Sequence, residues 1–288
     1  MVVAKHCSRR AVLSLTTRFY LPHEGMTTLD YLSSGSALVL HGSSSSSLAV
    51  VTCQHVACPW LFPRYFSTTW DWLQFVNENH VRHSLQLLAL DTRNSSVTKP
   101  EVLLELPLAS QVHTHHSRDL ALLTLADSAA TKSWHQAEHE FNVQALSLDT
   151  APCEQGDDVV FFGHRRVENE VDESYQVPMT VAGQFVGRSS SGQAFARSQE
   201  LLEEGMCGGA VVRAKMHKCV GIVEGIVPMS NEEDDKEPST HDRKEREAWQ
   251  MRRALAGHVA LIPSRDVKEF IDEPGNLLLT GMEVPPYM

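Results

Sequence analysis

Three residues far apart in the chain carry side chains that together could cleave an acyl bond. Cys207 lies within Glu204-Gly-Met-Cys-Gly-Gly-Ala210. Glycines around a thiol permit a tight turn that exposes the sulfur and aims backbone N–H groups at a developing oxyanion. His55 directly follows the apolar run that ends in Thr52-Cys53-Gln54, and imidazole is the side chain that exchanges protons near neutrality. Asp119 stands immediately before the run Leu120–Leu125. A carboxylate there can accept from imidazole Nδ1–H and hold the tautomer whose Nε2 takes the thiol proton. The residues alone leave a blander reading open. In it His55 is an ordinary half-buried histidine, Cys207 is a small core residue, and Gly208 and Gly209 serve backbone geometry.

The elements that must position these groups read as strands. Short β-type runs recur at Ala37–His41, Leu48–Thr52, Leu85–Leu90, Val102–Leu106, Leu120–Leu125, Val159–Phe162, Thr180–Val186, Ala210–Arg213 and Val220–Val223. Broken by Gly, Ser, Asn and Pro with few helical periods between, they predict an all-β sandwich or pair of barrels. One short helix is expected over 264–272, with Ser264 as N-cap and Val267, Phe270 and Ile271 on one face. The Ser43–Ser47 tract reads as a hairpin loop, and the acidic stretch 230–247 as a solvated one. The Lys and Arg residues of 243–253 alternate with Glu as on a solvated helical face.

Composition narrows the function classes. With 288 residues, 42% of them hydrophobic, the chain can bury a sizeable core, which excludes a disordered or coiled-coil protein. No run of 18 apolar residues occurs, so no transmembrane helix is expected. A net charge of −11 argues against bulk attraction to phosphate and hence against direct, sequence-specific nucleic-acid binding. Six cysteines without a paired CxxC or HxxxH spacing imply neither zinc nor any other cofactor, and read as reduced thiols. Lys5, Arg9, Arg10 and Arg18 precede the first acidic residue, Glu24, among hydroxyl and apolar residues. Such a start reads as a mitochondrial targeting segment, so residues 1–34 are expected to form an N-terminal arm.

Taken in order, the three sites resemble the chymotrypsin-like peptidases, whose chain order is also His, Asp, nucleophile. Val50-Val-Thr-Cys-Gln-His-Val56 is similar to the histidine motif of trypsin-like peptidases of the HtrA type, and Ser117-Arg-Asp-Leu-Ala-Leu-Leu123 to their aspartate motif. Gly205-Met-Cys-Gly-Gly209 stands where that family has Gly-Asn/Asp-Ser-Gly-Gly, and its Cys resembles the picornavirus-type cysteine proteases of the same fold. Gln155–Gly163, Val181–Val186 and Val259–Ser264 continue the register more weakly. The resemblance implies two packed six-stranded β-barrels over 35–272, a short C-terminal helix and a tail over 273–288. It implies a polypeptide substrate cleaved by Cys207, His55 and Asp119, with an oxyanion hole from the N–H groups of Gly205 and Cys207. Val223, Glu224 and Gly225 would pair with the substrate backbone as an added strand. Leu201–Glu204 and residues near Val227 would line a pocket for a small or medium apolar side chain.

Residues 59–84 interrupt this pattern with seven of the chain's twenty aromatic residues, too many for a plain connecting loop. Trp60, Phe62, Tyr65, Phe66, Trp70 and Trp72 either pack back onto the barrel or offer a partner-binding surface, since Trp and Tyr anchor interfaces. The second option defines the alternative function: a catalytically inactive protease fold held for protein contacts in a large mitochondrial assembly such as the mitochondrial ribosome.

Overall fold

The computed structural model describes residues 11–42, 48–63, 71–89, 99–168, 174–189, 192–203, 205–228 and 243–286. Two β-sheets dominate it. The first has eight strands in the order β14-β6-β7-β3-β2-β1-β4-β5. Its members are β1 (Val12–Phe19), β2 (Asp30–His41), β3 (Leu48–Thr52), β4 (Val81–Leu88), β5 (Val102–Pro107), β6 (Gln111–Thr114), β7 (Ala121–Leu123) and β14 (Asn276–Leu279). A bridge between Leu108 and Leu125 and the bond from Ala126 N–H to Pro107 O bring β5 back to β7, so this sheet curls into a half-barrel. The second sheet is a closed six-stranded barrel, in the order β10-β13-β12-β11-β8-β9. It comprises β8 (Asp158–Val167), β9 (Tyr175–Arg188), β10 (Ala194–Ser198), β11 (Ala210–Arg213), β12 (Cys219–Ile226) and β13 (Val259–Pro263). The all-β double-barrel architecture is therefore as expected, with the first sheet larger than six strands.

Four α-helices accompany the sheets: α1 (Gln54–Ala57), α2 (Ser128–Glu140), α3 (Arg243–Leu255) and α4 (Ser264–Asp272). The final helix packs Val267, Phe270 and Ile271 inward as its spacing predicts. Ser264 does not cap it; Pro263 holds that position and Ser264 Oγ donates to Asp149 O at 2.5 Å. Helix α2 links the two barrels. Its N-terminus is capped by the Asp127 side chain, which accepts from Ala130 N–H at 2.8 Å, and it buries Ala130, Trp134 and Ala137 at helical spacing.

Three boundaries differ from the sequence reading. The hydroxyl-rich start is not an arm: β1 lies between β2 and β4, and Leu13 and Leu15 are fully buried. Of its polar residues, Ser14 meets the second barrel, where its Oγ lies 2.6 Å from the side-chain amide of Gln176, while Thr16 Oγ1 reaches Gln86 of β4 at 3.5 Å. The expected tail supplies strand β14, which pairs with β6 from Asn276 to Leu279. Part of the expected solvated loop is helix α3; Ser43–Ser47 and 229–242 lie outside the described residues. The five described cysteines form no disulfide, and no described helix is long and apolar enough to cross a membrane.

Because β1 is internal to its sheet, loss of residues 1–20 exposes both neighbouring strands along their length. Such a truncated chain is expected to show no cooperative thermal transition by circular dichroism, and native-like melting would contradict the assignment. Leu15→Ala, at a fully buried site on the same strand, should cost about 2–5 kcal/mol in chemical denaturation.

Candidate active site

His55 lies on the single turn of helix α1 that follows β3. Buried Val56 and Ala57 fix this turn against the first sheet. From β4, His83 Nε2 donates to Ala57 O at 2.8 Å and pins the turn from below. That bond sets the His83 tautomer and leaves its Nδ1 buried without a partner among the described residues. Burial pushes the His83 imidazole down to about 4, so this second histidine is neutral and structural.

Asp119 sits in the turn between β6 and β7. His115 organises this turn: its Nδ1 accepts from the N–H groups of Ser117 (3.1 Å) and Arg118 (3.0 Å), and its own N–H donates to Leu120 O. His115 also packs edge-on against Phe270 of α4. The cluster His113–His116 thus has a positional role that its composition did not reveal. The turn sets both Asp119 oxygens on His55. Oδ1 accepts from the His55 backbone N–H at 2.9 Å and Oδ2 from Nδ1 at 2.5 Å. Nε2 is left for Cys207, with whose side chain the imidazole hydrogen-bonds.

Cys207 arrives from the second barrel on the loop before β11. Gly205 has φ +97° and Gly208 φ +81°, both in the left-handed region that glycine adopts without strain. A Cβ on Gly208 would also fall 2.0 Å from Ser36 O and 2.2 Å from Thr52 Oγ1, so the loop can press this close to the first barrel only with glycine there. Ser36 ties the loop from β2: its N–H donates to Cys207 O at 3.1 Å and its Oγ to Gly205 O at 2.7 Å. The same Oγ accepts from His164 N–H at 2.8 Å. Met206, where the resembling family has Asn or Asp, is buried in the core of the second barrel, so apolar packing anchors the loop in place of a polar contact. Among the described residues, neither Gly205 N–H nor Cys207 N–H has an acceptor. These two backbone donors are thereby left unused beside the thiol.

The electrostatics favour an imidazolium. Burial alone would depress His55, but the hydrogen bonds to Asp119 and Cys207, with their charges, outweigh it and raise the imidazole to about 10. Burial pushes Cys58 and Cys219 up to about 12 and Cys53 well above its ordinary value, while Cys153 is raised mainly by burial. These thiols are protonated and unreactive near neutrality.

The remaining expected residues are placed as follows. Val223, Glu224 and Gly225 lie on β12, and Val223 O accepts from Gly208 N–H (2.8 Å) and the Cys53 thiol (3.2 Å). Val227 follows that strand with its N–H and C=O paired to His258 and Gly257, and Leu201 is 67% exposed. Glu204 lies outside the described residues. Of the aromatic residues that either pack back or meet a partner, two pack onto the first sheet. Trp60 is buried beside His83, and Trp72 is half-buried, stacked on Phe19 with centroids 5.0 Å apart. Phe62 turns its edge to His55 at 6.3 Å and so borders the site. Tyr65, Phe66 and Trp70 lie outside the described residues.

Cys53, His55 and Asp119 bring possible metal-ligating atoms within 4.8 Å of one another. Those groups are already joined to each other or to Val223 O, so a cation could enter only by breaking the His55–Asp119 pair. No protein-family model matches the chain, and no significantly similar curated protein is found.

Two titrations follow from these environments. By NMR, the His55 ring is expected to titrate near pH 10 and to shift downward in Asp119→Asn; a midpoint near 6.5 in the native chain would contradict the pairing. Stability from this raised group is complete below pH 6.5 and is lost as pH rises through about 10. His83 has the opposite sign, because the unfolded chain takes up its proton first as pH falls from 6.5 to 4. It should destabilise the protein by about 3 kcal/mol at pH 4 relative to pH 7, a loss absent from His83→Gln in denaturation curves.

Proposed function

We propose that the chain is an endopeptidase of the trypsin-like type, with Cys207 as nucleophile, His55 as proton carrier and Asp119 as orienting group. One observation carries this reading: Asp119 engages both N–H groups of His55 that face it, while the same imidazole reaches Cys207 across the barrel interface. A structural histidine needs one such bond; a double grip that leaves Nε2 on a thiol is the arrangement that nucleophilic catalysis requires.

The chemistry proceeds from a thiolate–imidazolium pair. The Cys207 sulfur attacks the substrate carbonyl carbon, and the oxyanion takes hydrogen bonds from Gly205 N–H and Cys207 N–H. His55 then gives its proton to the leaving amine, and the C–N bond breaks to leave a thioester on Cys207. Neutral His55 next takes a proton from water, whose oxygen attacks the thioester, expels the sulfur and restores the thiolate–imidazolium pair. The substrate backbone lies along β12 beyond Val223. On the same edge β11 pairs no further than Ile222, and Val223 joins Gly208 and Gly209. The alternative of an inactive scaffold within a mitochondrial assembly has less to rest on, because Trp60 and Trp72 are engaged inside the molecule.

The test is adduct mapping with a peptidyl thiol-directed electrophile, read by mass spectrometry. Cys207 should label about 100-fold faster in the native chain than in His55→Ala. Labelling no faster than that of half-buried Cys153, and indifferent to His55, would sink the reading.

A further inference from the structure

Strand β12 carries an irregularity beside the site. Its register with β13 runs Val223↔Leu261 and then Gly225↔Ala260, so Glu224 is the extra residue of a β-bulge. A bulge bends its strand and re-aims the side chain it inserts. The Glu224 carboxylate is half-buried and held from one side only: Oε2 accepts from Gln193 Nε2 at 2.6 Å, and that same nitrogen donates to Leu261 O at 2.9 Å. Gln193 therefore has no further amide hydrogen to offer, and Oε1 has no hydrogen-bond partner among the described residues. At the next residue a Cβ on Gly225 would meet nothing within 4 Å, so the strand is open there.

No described cation is assigned to this anion. Asp119 already occupies His55 with both oxygens, and the neighbouring Arg118 guanidinium lies 3.0 Å from Asp266. Burial, together with the charge of Asp119, pushes the Glu224 carboxyl upward; the Gln193 bond and the charges of Arg118 and His55 offset part of that effect. A half-buried carboxylate with an unused oxygen, on a strand open at the next residue, gains most from a flexible cation brought in from outside. The chain's net charge of −11 draws cationic ligands toward it.

We propose that Glu224 selects a lysine or arginine side chain in the substrate, at the residue immediately preceding the one whose carbonyl is attacked. The assignment rests on the endopeptidase reading for the direction of the bound peptide. The charges of His55 and Asp119 act on the Glu224 carboxylate, so with the scissile carbonyl at Cys207 and the backbone along β12 it is the preceding side chain that comes within its reach. Gln193 acts as a positioning residue that holds Oε2 and leaves Oε1 for the incoming cation.

The test separates binding from turnover. Full-length Cys207→Ala chain is titrated with fluorescent peptide amides that differ only in carrying Lys, norleucine or Glu at that position. Lys is expected to bind about tenfold tighter than norleucine and Glu more weakly than either. The preference should vanish when Glu224→Gln is added and reverse with Glu224→Lys. Gln193→Ala, which leaves the charge in place, should weaken it. Equal Kd values across the three peptides, no measurable binding by any of them, or a preference that survives Glu224→Gln would each overturn the proposal. A clear preference for Lys beside an unreactive Cys207 would uphold cation selection and remove the endopeptidase reading. A reactive Cys207 without the preference would do the reverse.

Discussion

The two barrels meet at Ser36, and the meeting of thiol and imidazole depends on that junction. His55 and Asp119 belong to the first barrel and Cys207 to the second, so the distance from thiol to imidazole is set by how the sheets register against each other. Ser36 fixes it with short bonds in three directions: N–H to Cys207 O, Oγ to Gly205 O, and Oγ from His164 N–H. Its own carbonyl accepts from Thr52 Oγ1 at 2.7 Å, three residues before His55. One serine thus connects the nucleophile loop to the strand that delivers the histidine. Gln176 repeats the connection nearby: with its amide oriented to satisfy its surroundings, it donates to Gly35 O and accepts from Gly35 N–H, each at 3.1 Å. Buried polar ties of this kind specify one docking of two sheets where apolar packing alone would accept several.

This junction also explains why parts of the fold were legible and others were not. The runs Leu48–Thr52 and Ala210–Arg213 read as strands because they are buried on both faces and almost wholly apolar. Strand β1 carries Ser14, Thr16 and Thr17 at buried positions. Ser14 is inward because it meets Gln176 of the second barrel and Thr16 reaches Gln86 of β4, yet in sequence these hydroxyls resemble the hydroxyl-rich face of a targeting segment. Helix α2 was silent for another reason. Two of the three residues it buries are alanines, and Trp134 alone gives too little periodicity to stand out. Strand β14 is paired only along β6 and leaves Leu277 and Leu279 about half exposed, so its sequence lacks the alternation of a buried strand.

The site itself was more legible than its support. His55, Asp119 and Cys207 are marked by residue type and by the turns around them, and the structure brings all three together. Nothing in Gly35-Ser36 announces a hinge between barrels, and nothing in His113-Thr-His-His116 distinguishes a histidine that shapes the aspartate turn from one exposed to solvent. These residues act through backbone groups that become neighbours only after folding. Sequence spacing reports residues that share an element, whereas the ties at Ser36 and Gln176 join residues more than a hundred positions apart.

Met206 shows what replacing a polar residue in the nucleophile loop requires. With a polar side chain the loop can be held by a directed contact; with methionine it must be held by volume. Met206 meets that demand by filling the core of the second barrel against Gly163, the residue before His164. His164 in turn donates its N–H to Ser36 Oγ, so apolar packing behind the loop and polar ties in front of it converge on the same two strands. The backbone at Gly205 and Cys207 is therefore held from both sides, and the thiol meets the imidazole from a loop tied on each of them.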